Sequence, residues 1–248
     1  MKVRPCKESD IPSLAALAVK SLDDDAMDEY FYPGRCKHPE AYRQAYEKQI
    51  KMFMAEPSSF IMVAATEPSD DTWSGETEIA GYCVWNREGE SKEVKEKWWQ
   101  KETLWRRLKR WLRHTYIAQA LEAIRNPSTS LKRWWTFGTK DEQWFDLADA
   151  DADDYWCVSE ILVGPKFRRR GVGQQLLQWG FEQAKEEQIC ISLCASKAGE
   201  PLYVKTEFRH VGNWQWGPKP EMVCKLMRWD PPKKEVVTAA LDVEMLGV

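Results

Sequence analysis

Trp156-Cys-Val-Ser-Glu-Ile-Leu-Val-Gly-Pro-Lys-Phe-Arg-Arg-Arg-Gly-Val-Gly-Gln-Gln-Leu-Leu177 decides how the rest of the chain is read. Trp156 to Val163 is apolar on both faces apart from Ser159 and Glu160, which predicts a buried strand. Gly164-Pro165 stops it. From Gly171 the pattern becomes helical, with Val172, Leu176, Leu177, Gly180, Phe181 and Ala184 on one broad stripe. A helix N-terminus leaves backbone N–H groups unpaired and carries a partial positive charge. Gly171 and Gly173 let an anion approach that backbone, and Arg168, Arg169 and Arg170 add full charges. The turn is therefore a candidate site for phosphate or pyrophosphate. An ordinary strand-to-helix connection with solvated arginines would show the same local pattern.

Gly-x-Gly alone is weak, since it lacks the third glycine of the dinucleotide fingerprint and the Gly-Lys-Ser/Thr ending of a Walker loop. In its context it resembles motif A of the GNAT N-acyltransferase superfamily, Gln/Arg-x-x-Gly-x-Gly/Ala. Here that motif is Arg168 to Gly173, after the apolar Ile161-Leu162-Val163. Downstream, Ile189 to Ala195 reads as a second buried strand and Ser196 to Glu200 as a turn. Tyr203-Val-Lys-Thr-Glu-Phe208 then matches the family's Tyr-x-x-x-Gly-Phe, except that Glu207 replaces the glycine. The family has that glycine where a helix turns into the next strand, so Glu207 puts the backbone path there in question. The likeness is good over 155–229 and weaker over 1–90. It implies an α/β (α+β) mixed sheet and acetyl-CoA as co-substrate, without a metal. Implied contacts to acetyl-CoA are Ile161, Leu162, Val163, Arg168, Arg169, Arg170, Gly171, Val172, Gly173, Gln174 and Ser196. The long insertion and Trp179-Gly180 also resemble a fungal branch of the superfamily, a likeness that names no substrate.

The 248 residues fit one domain carrying an insertion: residues 1–230 with a helical, tryptophan-rich insertion at 88–154, then a tail at 231–248. No stretch approaches the roughly 20 apolar residues of a transmembrane helix. Met-Lys-Val-Arg-Pro-Cys6 has no apolar signal region, and seven scattered cysteines without Cys-x-x-Cys read as reduced thiols. The expected location is the cytoplasm or nucleus, not outside the cell. A net charge of −3 gives no global attraction to nucleic acid.

Lys2 to Arg4 reads as a first strand, and Ser9 or Asp10 caps a helix through Ile11, Leu14, Leu17 and Ala18. A loop follows near Tyr32-Pro-Gly34, then a helix from Pro39 through Tyr42, Tyr46, Ile50 and Phe53. Ser59 to Ala65 and Ile79 to Trp85 are the next strands, with Gly81 suggesting a bulge. In the family the first two helices border the acceptor site, which makes Tyr30, Phe31 and Tyr32 candidate substrate contacts; core or loop aromatics would look the same. Ser91 to about Arg125 has helical composition, with Trp98, Trp105, Leu108, Trp111 and Leu112 near helical steps. Between Lys92 and Arg113, nine Lys/Arg stand against three Glu. Such a helix could lie on an anionic membrane or grip nucleic acid. A basic face is usually just solvated, and a lid over the acceptor cleft is the preferred functional reading. Trp134, Trp135, Phe137, Trp144 and Phe145 either seal the insertion or line an apolar pocket. The aspartates from Asp146 to Asp154 imitate part of a calcium loop but lack its glycine, and read as an acidic loop.

Transfer of acetyl from acetyl-CoA to an amine, the reaction the resemblance implies, needs a group that removes a proton, donors for an oxyanion and an acid for the leaving thiolate. The resemblance gives the oxyanion contact to Ile161–Val163, with Val163 the single choice, and the acid to Tyr203. Packing is the alternative for Tyr203. Glu160 is the only carboxylate within the central strand, hence either the base or half of a salt bridge on the sheet. His38, His114 and His210 fall into no triad or metal spacing. The expected activity is N-acetylation of a small amine. The competing reading is a catalytically silent CoA-binding or interaction module that uses the basic 92–113 helix.

Overall fold

The computed structural model describes residues 1–89, 91–99, 125–130, 132–133 and 154–233. Seven strands, β1 (Lys2–Pro5), β2 (Ser59–Ala65), β3 (Ile79–Glu88), β4 (Tyr155–Val163), β5 (Ile191–Ala195), β6 (Arg209–Gln215) and β7 (Val223–Trp229), form one sheet. Its order is β1-β2-β3-β4-β5-β7-β6. Only β4 and β5 run parallel. The described helices are α1 (Ile11–Ser21), α2 (Ala26–Phe31), α3 (Pro39–Ala55), α4 (Lys92–Trp98), α5 (Val172–Glu187) and α6 (Glu200–Lys205). The mixed α/β class and the strand–turn–helix centre are as the sequence predicts.

Each face of the sheet has its own core. On one face α5 buries the predicted stripe of Val172, Leu176, Leu177, Phe181 and Ala184 against Trp85, Trp156, Val158 and Leu193. A Cβ on Gly180 would lie 2.2 Å from the Trp85 ring, so only glycine lets the helix come this close. On the other face α1 and α3 pack Leu14, Ala18, Tyr42, Tyr46 and Ile50 against Ile61, Val63, Tyr82 and Val84. The β2–β3 register shifts between Ala64 and Ala65, opposite the segment that contains Gly81, in line with the expected bulge.

Residues 89–154 connect β3 to β4, and a buried ion pair sits near the ends of this connection. The Arg87 guanidinium, 2% exposed, donates to Glu187 at 3.1 and 3.2 Å. Glu187 also accepts from the Trp156 indole at 3.1 Å. A charge this deep is tolerated only when its partners are in place. Ser91 caps α4 by accepting from the Val94 N–H at 3.2 Å. The expected 92–113 helix is broken at Trp99, whose extended backbone ends α4. The Trp98 ring packs edge-on against Phe60 and Trp156, so this part of the insertion is fastened to the core. Trp105, Leu108, Trp111, Leu112, the aromatics at 134–145, the aspartates at 146–153 and residues 234–248 lie outside the described residues. Among the described residues no helix is long and apolar enough to cross a membrane.

Candidate active site

β4 and β5 start as partners and then part. Their pairs are Trp156 with Ile191, Cys157 with Ser192, and Val158 with Leu193, and there the ladder stops. The cause lies in β4. Val84 pairs with Glu160 but Trp85 with Val158, which leaves Ser159 as an extra residue. A bulge of this kind bends its strand and ends pairing. Beyond it β4 stays with β3 as far as Val163, so its other edge opens into a gap.

The register tells which groups line that gap. The Gly164 N–H donates to the Ala80 carbonyl at 2.9 Å. Hydrogen-bonded pairs alternate along an antiparallel ladder, so Leu162 also faces β3. The N–H groups of Ile161 and Val163 therefore point into the gap, where β5 offers no ladder partner. The Val163 carbonyl on that side accepts from the Ser21 hydroxyl and the Arg168 guanidinium, both at 3.3 Å.

Glu160 stands beside the gap on the α3 face. Its carboxylate accepts from the Tyr82 hydroxyl and, at 3.0 Å, from the Gln49 amide. Burial pushes the carboxyl up to about 7, against the two hydrogen bonds and with help from the nearby charge of Asp28. Among the described residues no arginine pairs with it. The sequence offered no sign of Tyr82 or Gln49 as partners: Tyr82 reads as one more strand aromatic and Gln49 as a polar helix position. Asp28 on α2 accepts from the hydroxyls of Tyr42 and Tyr46, and burial raises its own pKa.

The phosphate-type turn has the expected shape. Gly171 has φ +81° and caps α5, with open space where a side chain would be. Such a left-handed residue is easy only for glycine. Two of the arginines also have local partners. Arg168 donates to the Ser21 carbonyl at 2.7 Å as well as to Val163, and Arg170 pairs with Asp71 at 2.7 Å. All three arginines are exposed, and Arg169 has φ +63°. Val172 is buried, Gln174 is half-buried in the first turn of α5, and Ser196 is exposed at the end of β5.

Tyr203 on α6 is 5% exposed and packs edge-on against Phe208. Burial raises its pKa, so the hydroxyl keeps its proton across the ordinary pH range. Glu207 takes φ +67°, a left-handed conformation that favours glycine. The candidate contacts on α2 divide: Phe31 and Tyr32 are buried in the core, while Tyr30 keeps a half-exposed edge.

A splayed parallel pair, a glycine turn opening a helix and a strand carboxylate form an arrangement that can be compared with known proteins. The solved structures it resembles include a histone acetyltransferase HPA2 and related acetyltransferase from Corynebacterium glutamicum. That match has 18% identity and a TM-score of 0.55, covering 95% of this chain and 98% of the other. A protein assigned as arylalkylamine N-acetyltransferase 7, from the yellow fever mosquito, matches at 13% identity and TM-score 0.53, covering 92% and 86%. At such identities the likeness is one of fold. No curated protein matches the sequence. The model of the Acetyltransferase (GNAT) family matches residues 19–208, a span that holds the bulged strand, the glycine turn and Tyr203. The chain belongs to the GNAT family of acetyltransferases.

Proposed function

We propose that this protein moves an acetyl group from acetyl-CoA to the amine of a small acceptor by direct attack. The observation that carries the reading is the gap beyond Val158 and Leu193, because it brings unpaired backbone donors and a buried carboxylate to one place. Acetyl-CoA supplies the acyl group as a thioester. The residues present suit it. Gly171 leaves room for a phosphate at the start of α5, whose first N–H groups have no helical partner. The Ile161 and Val163 N–H groups suit a carbonyl oxygen that gains negative charge, with Val163 nearest the turn. Leu162 supports this edge from the β3 side, and Gln174 and Ser196 flank it.

Glu160 takes the proton of the acceptor, directly or through water. A carboxyl that titrates near 7 is matched to that task at neutral pH. Tyr203, held protonated by its buried site, donates to the departing thiolate. Arg168 acts through position: it ties the end of α1 to Val163 and so holds the gap's edge.

Calorimetric titration of acetyl-CoA tests the cofactor half. Gly171→Asp sets a carboxylate against the incoming phosphates in open space, at a conformation Asp tolerates. Binding by the wild type that falls about a hundredfold or more in the variant is the expected result. A folded wild type that binds no acetyl-CoA would overturn the reading. Binding without turnover over a broad amine panel would favour the silent module.

A further inference from the structure

We propose that Ser159 is a specificity-determining residue: its hydroxyl, at the apex of the gap beside Glu160, donates to a neutral oxygen that the acceptor carries two carbons from its amine. This rests on the reading of the gap as the acyl-transfer site, and it narrows the acceptor to an amine with a nearby ether, hydroxyl or carbonyl oxygen.

The bulge puts two consecutive side chains on one face. Along an undisturbed strand, Ser159 and Glu160 would point to opposite faces. Here Ser159 is the extra residue, just past the last pair of β4 with β5. Its hydroxyl oxygen accepts from the Asn86 amide at 2.8 Å, while Glu160 accepts from the Tyr82 hydroxyl. Tyr82 and Asn86 are four positions apart on β3 and so share a face, the one that α3 covers. Ser159 and Glu160 therefore lie on that face together, where α3 supplies Gln49.

The Ser159 hydroxyl is both aimed and open. Ser59 on β2, 3% exposed, donates from its hydroxyl to the Asn86 side-chain carbonyl. That bond fixes the amide, which turns its N–H toward Ser159. The Ser159 oxygen is thus used as an acceptor, and its hydrogen has no partner among the described residues. A hydroxyl in this state has one donor to offer. Ser59 is buried, Asn86 half-buried and Ser159 exposed, so the row rises from the sheet to the surface. It crosses a face that also carries Ile61, Val63 and Val84, so its polarity is local.

The spacing sets the ligand. Adjacent Cα atoms are about 3.8 Å apart. An amine held at Glu160 and an oxygen held at Ser159 are therefore only a few bonds apart, and a two-carbon link spans them. The oxygen is neutral, because a carboxylate there would stand against Glu160 once that group has lost its proton.

The test compares 2-methoxyethylamine with butylamine, which has a methylene in place of the ether oxygen. For each, kcat/KM is measured with acetyl-CoA, and binding to the full chain saturated with CoA is measured by calorimetry. An ether oxygen accepts and cannot donate, so it reads the Ser159 hydrogen. Ser159→Ala should lower the ratio of 2-methoxyethylamine to butylamine about three- to tenfold, the scale of one net hydrogen bond. Butylamine should stay within about twofold of wild type. Ser159→Thr keeps the hydroxyl and should keep the ratio. Asn86→Ala leaves Ser159 in place without its aim and should lower the ratio in the same direction, so a poorly folding Ser159→Ala protein does not decide the matter. An unchanged ratio in Ser159→Ala overturns the proposal. So does an equal loss for both amines, which would mark a serine that serves only the fold of the bulge, and so does a wild type that neither binds nor acetylates 2-methoxyethylamine. A wild type that binds both amines and transfers acetyl to neither sinks the acetyltransferase reading of the gap, and the binding ratio then decides the role of Ser159 by itself.

Discussion

The two faces of one sheet are built by different chemistry. Under α5 the contacts are dry and aromatic: Trp85, Trp156, Trp179 and Phe60 meet one another at 5.5–6.4 Å, and Gly180 brings the helix onto Trp85. Under α1–α3 a chain of buried polar groups replaces part of that packing. Asp28 holds Tyr42 and Tyr46, and Glu160 is held by Tyr82 and Gln49. Apolar packing supplies stability without demanding partners, whereas a buried carboxylate costs stability and titrates. The faces share β4, and the bulge at Ser159 lets that strand serve both: Val158 points to the α5 core and Glu160 to the polar side. The α5 face keeps the strand in place, and the α3 face holds a buried carboxyl that burial pushes up to about 7.

The sharpest way to break this division is Glu160→Gln. The expected loss in kcat is about a hundred- to a thousandfold, with acetyl-CoA affinity kept. In wild type kcat/KM should rise with pH through about 7, because the base must first lose its proton, and the variant should lack that limb. Stability should move the other way. Folded Glu160 keeps its proton up to about 7, while an ordinary carboxyl loses it near 4.5. Between those values the folded state binds more protons. Its contribution to stability, complete below 4.5, is lost as pH rises through about 7. Relative to wild type, Glu160→Gln should therefore gain more in Tm at pH 8 than at pH 5. A variant that gains nothing at either pH would mean that the carboxyl is not desolvated.

The converse change attacks the dry face. Gly180→Ala forces a methyl into the Trp85 ring and should cost about 3 kcal/mol in urea unfolding. The pH limb of kcat/KM should survive in whatever fraction stays folded. Movement of that limb would show that the two faces are not separate. A smaller effect separates acid from packing at Tyr203. Tyr203→Phe keeps the ring against Phe208, so Tm should hold within a few degrees while kcat falls about ten- to a hundredfold. An unchanged kcat would assign Tyr203 to packing alone.

The sequence made some of this visible and hid the rest for physical reasons. β4, the glycine turn and α5 are legible because each answers to local rules: an apolar run, a left-handed glycine and a 3.6-residue stripe. α2 was missed, since its six residues are held by Asp25, Ser130 and Arg133, two of them about a hundred positions away. The bulge at Ser159 was hidden because it belongs to a register between two strands. Charge counts cannot show that Arg168 also bonds a carbonyl and Arg170 also bonds Asp71. Glu160 stood out as the lone carboxylate of its strand, but its partners Tyr82 and Gln49 come from elements that only folding brings together.

Glu207 shows the same limit in one residue, and it offers the smallest and cleanest test. A glutamate at φ +67° costs about 1–2 kcal/mol over glycine in the folded state. Glycine gives part of that back through the greater freedom of its unfolded chain, about 0.4–1 kcal/mol. Glu207→Gly should therefore raise stability by about 0.5–1 kcal/mol. The side chain is exposed, so nothing else is lost with it. If the backbone around Tyr203 is already on the path that glycine would take, kcat and the Tyr203→Phe effect should be the same in either background. A kcat that climbs with the glycine would instead show that the strained turn holds Tyr203 off its best position.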